Sequence, residues 1–106
     1  VEGRIDEASE AYGEAIRIDP RSFHAHFQLA DALMTQGKHQ EAIAEFGAAL
    51  KLSPRDADVH VALGYALRAV GRTAESAEHF RHALTANPNR TDARKALSEL
   101  GIIPGS

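Results

Sequence analysis

The chain has no cysteine and no tryptophan, one methionine, four prolines and only 6% aromatic residues. Without cysteine there is no disulfide framework, no thiolate metal site and no cysteine nucleophile, and the redox compartment stays open. No apolar run approaches the length of about 20 residues that a membrane-spanning helix needs. The opening "VEGRIDEASE" is too acidic and polar for a signal peptide. Neither a run of Lys or Arg nor a positive net charge is present (the balance is −3), which argues against nucleic-acid binding. No nucleophile elbow or other catalytic signature appears, so the expectation is no enzyme and no catalytic residue. What is present is ordinary: 106 residues, 43% apolar and 25% charged, one globular domain's worth of chain.

That chain repeats itself. Pro20, Pro54 and Pro88 recur every 34 residues, and so do Gly3, Gly37 and Gly71, and Tyr12, Phe46 and Phe80. Ala8, Ala42 and Ser76 keep the same period, as do Ala15, Ala49 and Ala83. Between the Gly and Pro positions the apolar spacing is helical. Ala42, Phe46, Ala49 and Leu50 share one face of one helix, and Ala25, Leu29, Ala32 and Leu33 share one face of the helix before it. Glycine permits the tight turn between the two helices. Proline ends the second because it lacks an amide donor and restricts the residue before it.

These columns resemble the tetratricopeptide repeat, W-x2-L-G-x2-Y, then A-x3-F, then P, over 34 residues. One unit reads His26, Leu29, Ala30, Leu33, Ala42, Phe46 and Pro54; the next reads His60, Leu63, Gly64, Leu67, Ser76, Phe80 and Pro88. Histidine replaces tryptophan and leucine replaces tyrosine in both. The resemblance implies an all-α fold, a right-handed superhelical stack of antiparallel helix hairpins with six helices. Residues 1–22 form the second half of a truncated repeat, 23–56 and 57–90 two full repeats, and 91–101 a C-terminal capping helix ended by Gly101 and Pro104. The chain reads as part of a longer array, with "IIPGS" as the start of a linker or an appended tail.

In that family the first helices line a concave groove that binds peptides. The corresponding face here carries His24, Phe27, Gln28, Asp31 and Met34, then Val61, Tyr65 and Arg68, then Lys95. The resemblance therefore implies a scaffold that binds a peptide or protein segment, with Phe27, Met34, Val61 and Tyr65 as apolar contacts and Asp31, Arg68 and Lys95 setting polarity and register. The same apolar residues could instead pack between repeats. The chaperone-tail carboxylate clamp needs Lys, Arg and Asn on this face and is not reproduced. The asparagine ladder of sugar-transferase repeats is also missing, because Gln28 and Ala62 stand at its positions.

The rival reading is structural. The first helix leaves Ala8, Tyr12, Ala15 and Ile16 to be covered, so the chain could self-associate through it as a homo-oligomer, or could position substrates for a catalytic domain elsewhere. Ala44, Gly47, Ala48 and Lys51 make a smooth outer patch able to admit another helix. Of the six histidines, His79 and His82 have a spacing that could hold a metal, but no further ligand completes the set, so no metal and no cofactor are expected. A cytoplasmic location is the default expectation.

Overall fold

The computed structural model describes residues 2–101, all of it helix and short turns. Pro104 and the rest of the "IIPGS" segment lie outside the described residues. Six helices run α1 Glu2–Ile18, α2 Phe23–Thr35, α3 His39–Leu52, α4 Ala57–Ala69, α5 Thr73–Ala86 and α6 Thr91–Glu99. The chain divides into two compact units, Val1–Pro54 with α1 to α3 and Arg55–Ser106 with α4 to α6.

The turn between paired helices is the same device in both units. After α2, Gly37 takes φ +78°, and the amides of Gly37 and Lys38 reach back to the carbonyls of Met34 (3.0 Å) and Leu33 (2.8 Å). After α4, Gly71 takes φ +83° and the amides of Gly71 and Arg72 reach Arg68 (3.1 Å) and Leu67 (2.9 Å). This is a Schellman closure, which needs a left-handed residue that glycine supplies without steric cost. Gly3 shares the column but lies in the first turn of α1, where there is no turn to make. The helices after Pro20 and Pro54 start on side-chain caps, Ser22 accepting from the Ala25 amide (3.2 Å) and Asp56 from Val59 (3.1 Å), whereas α6 after Pro88 starts at Arg90 without one.

Each unit closes on a phenylalanine. In the first, Phe46 is fully buried with Ala30, Ala42 and Ala49, and Phe27 meets its ring edge-on at 5.8 Å. In the second, Phe80 is buried among Val61, Ala77, Ala83, Ala93, Ala96 and Leu97, with Tyr65 edge-on at 5.2 Å. The small columns permit this. Gly64 lies against the Phe80 ring, and the buried Ser76 hydroxyl donates to the Gly64 carbonyl at 2.7 Å.

Gly47 has no such role. A methyl group added there would meet nothing within 4 Å. Gly47→Ala should therefore stabilise the chain by about 0.5–1 kcal/mol, through helix propensity alone. A denaturant midpoint that rises without a change of slope would check it.

Candidate functional site

The residues placed on the first-helix face by sequence divide three ways. His24 and Lys95 are exposed, Asp31 is largely so, and Phe27, Gln28, Met34, Tyr65 and Arg68 are half-buried. Val61 is a correction. It is only 5% exposed and belongs to the core cluster with Ala93, Ala96 and Leu97, so α6 already takes the surface a ligand would use. Its column-mate Phe27 packs on Phe46 and on Phe23 (6.0 Å) but keeps an open edge.

Arg68, Asp58 and Asp92 on the second unit's face are paired. Arg68 donates to Glu99 (3.1 Å) across to α6, and its guanidinium lies 5.1 Å from the Tyr65 ring centre. Arg90, which no repeat column singles out, donates to Asp58 (2.5 Å) and to both carboxylate oxygens of Asp92 (2.8 and 3.1 Å). The Arg90 hydrogen bond holds the Asp92 carboxyl below the usual carboxylate range, despite some desolvation that opposes it. Such exposed pairs contribute little to stability, but they fix the geometry and leave few free charges for a ligand.

The first unit differs. An open cleft of about 420 Å³ lies between α1 and α2, with Ile5, Ala8, Tyr12 and Met34 beside Gln28 and Asp31. Desolvation by its surroundings pushes the Asp31 carboxyl above the usual range. Among the described residues no side chain bonds or pairs with that carboxylate; only its main-chain carbonyl is used, by the Thr35 hydroxyl at 3.1 Å. A second hollow of about 390 Å³ touches Ser9, Leu29, Leu33, Gln36 and Glu45, and three of its polar side chains are engaged. Ser9 donates to Gln36 (3.4 Å) and Glu45 holds His26 (2.7 Å). Tyr12 and Ala8, read from the sequence as a surface to be covered, are half-buried and line the Asp31 cleft.

Two overlapping stretches, residues 2–57 and 27–91, match the profile of the tetratricopeptide repeat. The chain belongs to the tetratricopeptide repeat family. Members of this family are protein-interaction modules, typically scaffolds without catalysis. Among solved structures, the first tetratricopeptide domain of Spaghetti (RPAP3), bound to the HSP90 peptide SRMEEVD, is similar with TM-score 0.89 and 22% identity, over 93% of this chain and 79% of that one. The Arabidopsis OM64 tetratricopeptide domain gives TM-score 0.88 and 24% identity over 92% and 81%. MamA gives TM-score 0.86 and 21% identity over 93% of this chain, which spans 60% of the MamA chain's length. None of the curated proteins matches the chain in sequence.

The tetratricopeptide helices described are none of them long and apolar enough to cross a membrane. No group of three His, Asp or Glu residues among those described is disposed to hold a metal ion.

Proposed function

We propose that this tetratricopeptide chain is a non-enzymatic scaffold that binds a peptide or protein segment along its first-helix faces, with the Asp31 cleft as the principal subsite. The observation that carries the reading is the Asp31 carboxylate, partly desolvated by the cleft yet open to it and without a side-chain partner among the described residues, beside apolar Met34 and Tyr12. A Lys or Arg side chain entering the cleft supplies the missing charge and lays its methylene stem on the apolar wall. Phe27 and Gln28 extend the contact on α2. Tyr65 and Arg68 offer an aromatic edge and a positioned cation on α4, and His24 on α2 and Lys95 on α6 are exposed. The solved RPAP3 domain holds an acidic peptide; a segment of that charge would meet the wrong sign at Asp31. Affinity for one short segment is expected near micromolar, about −8 kcal/mol.

Selection from a random peptide library on the immobilised chain, followed by calorimetric titration, tests this. Enriched peptides should carry a basic residue next to an apolar one. Asp31→Asn should weaken them by about tenfold or more, the loss of one charge-assisted bond. The reading is overturned if nothing is enriched, or if enriched peptides bind the Asn variant as tightly.

A further inference from the structure

His26 and His60 occupy one column of successive repeats, and each meets the residue 19 positions further on. In the first unit that residue is Glu45. The His26 ring has Nδ1 2.7 Å from Glu45 Oε1 and Nε2 2.8 Å from the Pro20 carbonyl oxygen. Both partners are acceptors, so the ring satisfies both only by donating from both nitrogens, as the imidazolium. Burial works against the charge, but the Glu45 hydrogen bond, the Pro20 carbonyl and the Glu45 charge outweigh it, and the His26 pKa is raised.

In the second unit the same position is His79. Nδ1 of His60 lies 3.0 Å from Nδ1 of His79, with the two rings stacked at 5.3 Å. His82 closes the group, 5.2 Å from His60 and 6.0 Å from His79. A bond between two ring nitrogens needs one N–H and one lone pair, so one of the two must be bare. Two imidazoliums at this separation would lose the bond and repel. The charges that act on His79 are His60 from α4 and His82, Glu75 and Glu78 from α5; α6, also packed on α5, adds none to that set. Burial first, then His60 and His82, lower the His79 pKa against the two glutamates. Glu75 is meanwhile tied to Arg72 by two bonds of 2.8 and 2.6 Å.

We propose that the three-imidazole cluster makes the α4–α5 hairpin an acid-sensitive element, while the α2–α3 hairpin, built on the same column with glutamate, holds when the pH falls. A histidine with a lowered folded pKa contributes stability that is whole above its unfolded value near 6.5 and is lost as the pH falls through the folded value. His26 has the opposite sign: its contribution is whole below that unfolded value and is lost as the pH rises through the raised one. One residue type, at position 79 or 45, thus decides which way each hairpin responds. Acid would loosen the half of the chain that carries Tyr65 and Arg68 and spare the half that carries Asp31.

Amide hydrogen exchange on the whole chain tests this at about pH 7.5 and about pH 5.5, bracketing the ordinary histidine value, with rates corrected for intrinsic exchange. Protection of α4 and α5 amides should fall several-fold relative to α2 and α3 at the lower pH. His79→Glu, which recreates the first unit's pair, should abolish or reverse that difference. His79→Gln, neutral and still able to donate and accept, should flatten it without adding charge, and serves where the Glu variant fails to fold. Equal change in both hairpins, or a Gln variant that keeps the wild-type dependence, would overturn the proposal.

Discussion

Phe80→Ala should lower the stability of the second unit by about 3–5 kcal/mol. The ring is fully buried, and its neighbours Ala77, Ala83, Ala93 and Ala96 are too short to reach into the space it leaves. They sit on two helices, α5 and α6, whose backbones would have to move to close the cavity, so little relaxation offsets the loss. Tyr65 also loses its edge-on partner at 5.2 Å. The chain has two tyrosines and no tryptophan, one tyrosine in each unit, Tyr12 and Tyr65. Urea unfolding followed by tyrosine fluorescence in a Tyr12→Phe background therefore reports on the second unit. A loss of less than about 1 kcal/mol would mean that Phe80 does not organise this core.

Gly64→Ala is the second. Alanine is the better helix former by about 1 kcal/mol, so propensity alone forecasts a gain. The structure forecasts a loss. The added carbon would sit 2.7, 2.8 and 3.0 Å from three carbons of the Phe80 ring, closer than side chains can approach. Either the ring tilts or α4 and α5 separate, and separation stretches the buried Ser76–Gly64 hydrogen bond of 2.7 Å. Overpacking of this kind costs about 1–3 kcal/mol, enough to cancel the propensity gain or exceed it. The first unit carries Ala30 and Ala42 at the same columns, both fully buried, so the closer approach belongs to the Gly–Ser pair and not to the repeat as such. Because the clash is with Phe80, Phe80→Leu should relieve part of it. A double-mutant cycle should show coupling of at least about 0.5 kcal/mol, whereas strict additivity would place the strain elsewhere.

These two sites show how far the repeat columns reach. The 34-residue period, the Gly and Pro punctuation and the helical spacing determined six helices, their turns and the buried Phe46 and Phe80, because each of these obeys a rule local to one helix or one turn. The first-helix face was legible for the same reason, since residues three and four apart share a side. Which members of that face remain open was not. Val61 and Phe27 hold one column, yet α6 covers Val61 while Phe27 keeps an edge. Arg90, in no conspicuous column, gathers Asp58 from 32 residues away and Asp92 from two, and so removes both from the free charge of the surface. His60 and His79 are 19 residues apart on different helices, and only the packing of α4 on α5 brings their ring nitrogens within 3.0 Å. The sequence by itself determined the repeat, because helix and turn formation are settled by neighbours along the chain. Tertiary structure alone decided which charges are paired, which imidazoles share a proton and that Asp31 has no side-chain partner among the described residues, because protonation and pairing depend on distances between helices that no local rule encodes.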